Sequence, residues 1–202
     1  MIGSGVSLQA VQEKQRFKEA LNLISVKYAP FIAANPYVQV LMTKYNLLVK
    51  FMAPGPFNTN RLLSGKPSVG CTVNGFTDYL TDPPTIYINR GTATPATLVH
   101  ELLHYLTHAN FRNAFQTHPD WIEGVTEYFT RKVIGRANPL NPLQSQFIVD
   151  RAGIYDTEHG TVTDGRKLLK GPFNPQKPPK DFMKKAYFEG DQASIQILQS
   201  LL

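Results

Sequence analysis

Thr94-Pro95-Ala96-Thr97-Leu98-Val99-His100-Glu101-Leu102-Leu103-His104 is the stretch from which the rest of the chain can be read. A threonine before a proline is a helix start: the hydroxyl caps a free backbone N–H, and proline at the first helical position gives up no hydrogen bond. The spacing predicts a helix from Thr94-Pro95 to about Ala109. Its apolar residues Leu98, Leu102 and Tyr105 occupy one stripe and leave His100 and His104 together on another. Positions i and i+4 lie one above the other on a helix. Both imidazoles could therefore reach a single metal ion, with Glu101 beside any water bound to it.

A second helix is expected from Asp120 to about Ile134, and it carries Glu123 and Glu127. Zinc in hydrolases takes three protein ligands and leaves a position open for water. His100 and His104 would supply nitrogen and Glu123 oxygen to one Zn2+ ion. Two neutral nitrogens and one carboxylate leave the site net positive, which draws the pKa of a bound water toward about 7. Glu101 would take the proton and later deliver it to the leaving amine. Glu127 shares a helical face with Glu123 and can accept a hydrogen bond from the outward N–H of a ligand histidine. Glu123 has a competing role, because with Asp120 it makes a capping box; both roles are possible at once. His108 continues the histidine stripe, but three ligands from one straight helix do not converge on one ion. His118 and His159 read as loop residues, and Asp156 and Glu158 as solvated ones.

The chain has 202 residues, 42% of them hydrophobic and 18% charged, which suits one domain with a buried core and excludes global disorder. The 21 basic against 15 acidic residues leave a net charge of +6, modest enough not to imply nucleic acid. The one cysteine, Cys71, excludes an internal disulfide. No run of about 18 apolar residues is present to span a membrane. Met1 to Leu8 lack a basic region followed by an apolar one, so no ordinary secretory signal is expected. A cytosolic protein, a protein exported by another route, or a domain of a longer chain are the alternatives.

Elsewhere, residues 8–28 space Leu8, Val11, Phe17, Leu21, Ile24 and Tyr28 as an amphipathic helix. Asn35-Pro36 opens a short second helix. Strands are expected over 47–52, 69–73 and 85–88, with a loop at 53–58 and turns around Asn74-Gly75 and Asp82-Pro83-Pro84. A helix over 141–152 is followed by a basic, proline-rich connection over 161–185, and a final helix or broken pair spans about 180–201 around Gly190. Trp121 and Tyr128 are expected to pack the second site helix on the first. Strands first and helices afterwards make an α+β plan, read as a single domain, 1–202: a helix-plus-sheet lobe over 1–92 and a helical lobe over 93–202.

His100-Glu101, His104 and, after 18 intervening residues (105 to 122), Glu123 within Trp121-Ile122-Glu123-Gly124 resemble the gluzincins, especially the aminopeptidase N family. There the glutamate of an Asn-Glu-Gly segment is the third zinc ligand, and Ile122 stands where that asparagine would be. The family's second glutamate, which supports a ligand, corresponds to Glu127. Tyr187-Phe188-Glu189-Gly190 is similar to a Tyr-x-x-Gly segment of the same family, in which the tyrosine hydroxyl stabilises the tetrahedral intermediate; the resemblance thus implies Tyr187 as oxyanion donor. It covers roughly residues 85–202. It implies a thermolysin-like fold, a small mixed sheet followed by a mainly helical lobe, with one edge strand bordering the cleft. Thr85-Ile86-Tyr87-Ile88-Asn89 is the candidate for that edge, with Tyr87 and Asn89 toward an extended substrate. The family's Gly-x-Met-Glu-Asn exopeptidase motif and its large flanking domains are absent, so an endopeptidase is expected rather than an aminopeptidase. Small stand-alone gluzincin domains also resemble the peptidase modules of bacterial secreted toxins and effectors.

The expected function is zinc-dependent hydrolysis of peptide bonds in a peptide or protein substrate. One rival is a zinc hydrolase of a non-peptide amide or ester. Another is a basic binding module with a structural zinc, whose 161–185 segment contacts nucleic acid or anionic lipid. Only Phe173 and Phe182 are interleaved through that segment, which argues against nucleic acid.

Overall fold

The computed structural model describes residues 7–66, 73–134 and 181–200. The expected strand at 69–73 (apart from Val73), the helix at 141–152, Cys71, Asp156, Glu158, His159 and most of the basic connection lie outside them, as does the Asp120 side chain with its part in a capping box.

The order is α1 (Leu8–Ile32), α2 (Pro36–Leu48), β1 (Val49–Met52), α3 (Pro54–Leu63), β2 (Gly75–Asp78), β3 (Thr85–Asn89), α4 (Pro95–Leu106), α5 (Ala109–Ala114) and α6 (Pro119–Ile134). After the gap come α7 (Phe182–Lys184), a π-helical turn (Lys185–Glu189) and α8 (Gln192–Gln199). The fold is α+β with a small mixed sheet. Among the described residues no helix is long and apolar enough to cross a membrane.

Local chemistry explains most boundaries. Ser7 caps α1 by accepting from the Ala10 N–H. Phe17, Ala20, Leu21, Ile24, Tyr28 and Ile32 recur every three to four residues and are buried, which lays this long helix along the core. It kinks at Tyr28 (φ −125°), two residues before Pro30, whose ring cannot follow a straight helix. Asn35 caps α2 with its carbonyl oxygen and donates its amide N–H to Leu106 O at 2.9 Å, tying α2 to the end of α4. The expected loop at 53–58 is instead the start of α3. Pro54 and Pro56 fall in its first turn, where a missing N–H costs nothing.

The sheet order is β1-β3-β2, with β1 parallel and β2 antiparallel to β3. This corrects the reading of 85–89 as an edge strand. β3 is central and both its sides are paired. Tyr87 stacks on Phe76 of β2 (4.8 Å), and the buried Asn89 side chain serves Gly91 N and Val73 O. Tyr87 and Asn89 therefore lose the basis on which they were assigned to substrate. α4 packs on both β3 and β2, the latter lying where the sequence suggested a turn at Asn74-Gly75.

α4 begins as expected, with Thr94 and Thr97 forming a reciprocal capping box. It stops at Leu106, short of Ala109. Thr107 leaves the helical region (ψ 128°), and the His108 ring caps α5 by accepting from Asn110 N. His108 is thus off the histidine stripe. Trp121 stacks on Phe115 at the end of α5 (5.7 Å), and Tyr128 meets Phe129 edge-on (5.3 Å).

The C-terminal elements dock on the α4–α5 corner. His108 N donates to Tyr187 O (2.9 Å) and Asn110 Nδ2 to Gly190 O (3.2 Å). Gly190 closes the π-helical turn at φ 66°, and a Cβ built there would lie 2.0 Å from His108 Nδ1. Left-handed strain costs about 1–2 kcal/mol and overpacking about 1–3 kcal/mol. Gly190→Ala is accordingly expected to destabilise the protein by about 2–4 kcal/mol in denaturant unfolding. A change under about 0.5 kcal/mol, the usual scale of surface substitutions, would contradict this docking.

Candidate metal centre

α4 and α6 pack side by side, and their facing stripes bring together the three residues singled out first. His104 Nε2 lies 3.1 Å from His100 Nε2 and 3.2 Å from Glu123 Oε2; His100 Nε2 lies 3.3 Å from the same oxygen. A tetrahedral ion with ligand bonds of about 2.0–2.1 Å holds its ligand atoms about 3.3 Å apart. The triangle has that size, and its two nitrogens and one oxygen suit zinc. The three residues form a group able to hold a metal ion.

The electrostatics carry the same information. Burial disfavours a charged His100, but its hydrogen bonds to Glu123 and Glu127, together with the charges of Glu123 and Glu101, outweigh that and lift its pKa to about 10. The Glu123 side chain is 48% exposed, and partial desolvation beside the rings acts to raise its pKa, yet the two histidines hold it well below the usual carboxylate range. Without a metal, the three groups thus share a cation in the form of a proton on His100. A metal ion must displace it. At pH 7–9 metal uptake is expected to release a proton, and apparent affinity to fall about tenfold for each pH unit below about 10. Calorimetric titration in two buffers of different ionisation enthalpy checks this; identical heats would contradict it.

Glu127 is buried and bridges two cations or donors. Its Oε2 lies 3.4 Å from His100 Nδ1, on the outer side of the ring, and its Oε1 accepts from Arg131 Nε at 3.0 Å. That is the placement expected from its spacing to Glu123.

Glu101 is 5% exposed and lies against β2. Thr77 Oγ1 donates to it, 3.0 Å from Oε2 and 3.1 Å from its backbone oxygen. At Gly75 a Cβ would come within 2.8 Å of Glu101 Cγ, so the strand can pass this close only as glycine. Sequence reasoning missed both residues. A four-residue strand next to an Asn-Gly pair carries no periodic signal strong enough to displace a turn reading.

Tyr187 requires a correction. Its side chain is 0% exposed, with its ring against Phe111, Phe129 and Phe188. Its hydroxyl lies 2.7 Å from Thr126 Oγ1, and Thr107 also touches it. Thr126 stands on the outer, Nδ1 side of His104. The phenol is therefore behind a candidate ligand rather than in front of it, and does not sit where an oxyanion would form. Burial raises its pKa further, so it stays a neutral phenol. Tyr79, also missed, donates its hydroxyl to His104 O (2.6 Å) and carries the Arg112 guanidinium over its ring (4.4 Å). Together they close the C-terminal end of α4.

Comparison with protein-family models, with curated proteins and with solved structures gives no match. The assignment of function rests on the geometry.

Proposed function

We propose that His100, His104 and Glu123 hold one zinc ion and that the protein is a zinc-dependent peptidase of the gluzincin type with a thermolysin-like fold. The observation that carries this is the 3.1–3.3 Å triangle of two ring nitrogens from α4 and a carboxylate oxygen from α6, with the buried Glu101 next to His100 on α4. The ion would supply Lewis acidity and lower the pKa of a bound water toward about 7. Glu101 accepts the proton of the attacking water and returns it to the leaving amine. Thr77, donating to Oε2, holds the carboxylate in place.

A peptide rather than a small amide or ester is favoured by the sheet. Among the described residues β2 is paired on one side only, by β3, and it runs past Glu101. An extended peptide can add to its outer edge through main-chain hydrogen bonds, which replaces β3, Tyr87 and Asn89 in that role. An edge that takes main chain on both sides of the scissile bond suits an endopeptidase. Digestion of a proteome-derived peptide library by zinc-loaded protein, compared with the same digestion by Glu101→Gln, tests the reading. New internal cleavages confined to the parent protein are expected. Identical libraries after both treatments would contradict peptidase activity.

A further inference from the structure

Two threonines of α6 stand directly behind the candidate ligands. Thr126 Oγ1 lies 3.3 Å from His104 Nδ1, and Thr130 Oγ1 lies 3.3 Å from His100 Nδ1. The pairing follows from the helices. His100 and His104 are one turn apart on α4, Thr126 and Thr130 one turn apart on α6, and the pairs match in reverse order. Two helices of equal rise that pack antiparallel bring both pairs into contact at once.

The hydrogen positions in this arrangement are determined by what each oxygen already does. Thr126 donates its hydroxyl hydrogen to Ile122 O (2.8 Å) and Thr130 donates its own to Thr126 O (2.8 Å), each one helical turn back. A hydroxyl has a single hydrogen to give. Both oxygens are therefore left as acceptors toward the rings. Thr126 accepts a second time, from the Tyr187 hydroxyl at 2.7 Å. Each histidine must then carry a hydrogen on Nδ1, so that once the additional proton on His100 has been displaced the Nε2 lone pairs of both rings point into the triangle.

We propose that Thr126 and Thr130 are positioning residues that lock His100 and His104 in the tautomer and rotation needed to bind a metal through Nε2. Tyr187 completes the Thr126 side by filling its remaining acceptor position, which gives this buried phenol a role behind the site. The inference rests on the metal-site reading above and deepens it. His100 has a second acceptor in Glu127 at 3.4 Å, whereas among the side chains described around His104 its Nδ1 faces Thr126. The two threonines are thus unequal, and Thr126 carries the larger share.

The test uses Thr126→Val and Thr130→Val, which keep shape and remove the oxygen, beside Thr126→Ser, which keeps the oxygen. Zinc affinity is measured by chelator competition, and melting of the zinc-free proteins shows whether packing has changed. Thr126→Val is expected to lose about 10–100-fold in zinc affinity, Thr130→Val distinctly less, and Thr126→Ser to stay near the parent. The ring-nitrogen NMR spectrum of the zinc-loaded parent needs no variant, and should show both histidines protonated at Nδ1 and metal-bound at Nε2. Equal affinity in the parent and Thr126→Val, an equal loss in Thr126→Ser, or binding through Nδ1 would overturn the inference while the metal site stands. A parent protein that binds no zinc would remove the metal site itself, and this inference with it.

Discussion

Glu101→Gln is expected to lower the turnover of a peptide substrate by about 10²–10⁴-fold while the protein still binds one equivalent of zinc. The substitution is suited to the position. Glu101 is nearly enclosed, with β2 so close at Gly75 that any larger or branched side chain would clash. Glutamine has the same outline, and its amide oxygen can still accept from Thr77 Oγ1, the donor now 3.0 Å from Oε2. The proton-accepting oxygen is what is lost. A side chain that only held β2 against α4 would tolerate this exchange, so loss of turnover with unchanged folding and zinc content separates chemistry from packing. Parent-level turnover in Glu101→Gln would remove Glu101 as the base.

Glu123→Ala is the second large effect. Glu123 is the one oxygen ligand of the candidate triangle and comes from a different helix than the histidines, so its removal leaves two ring nitrogens facing each other at 3.1 Å with no charge to balance an ion. Zinc affinity is expected to fall by more than the about 10–100-fold that outer hydrogen-bond partners contribute. The zinc-free protein offers an independent reading. Glu123 is the main hydrogen-bonding partner that lifts His100 to about 10, so the variant's His100 should titrate closer to its ordinary 6.5. An NMR titration in which His100 still titrates near 10 would show that Glu123 does not face it.

The candidate centre was legible in the sequence because it depends on local spacing. His100, Glu101 and His104 follow from one helix with strong start signals, and Glu123 and Glu127 from a second. Relations between elements were not legible. Nothing in Thr85–Asn89 distinguishes a central strand from an edge strand; its β-branched run is equally suited to either. Pro54-Gly55-Pro56 has the composition of a loop, and becomes a helix start because both prolines fall within the first turn. Tyr187 was implied by the resemblance of Tyr187-Phe188-Glu189-Gly190 to a family segment, and both ends of that segment are held at the α4–α5 corner, but a motif does not report depth. Phe111, Phe129 and Phe188 enclose the ring and direct the hydroxyl to Thr126. The threonines themselves carry no motif. Their meaning comes from which ring nitrogens they meet, and that is set by how two helices cross.

Anomalous diffraction at the zinc absorption edge, from crystals of the protein grown with zinc, tests the central claim most directly. The expected result is one strong peak enclosed by His100 Nε2, His104 Nε2 and Glu123 Oε2, at about 2.0–2.2 Å from each. A map with no peak between these three atoms, or with zinc held only by other residues, would contradict it.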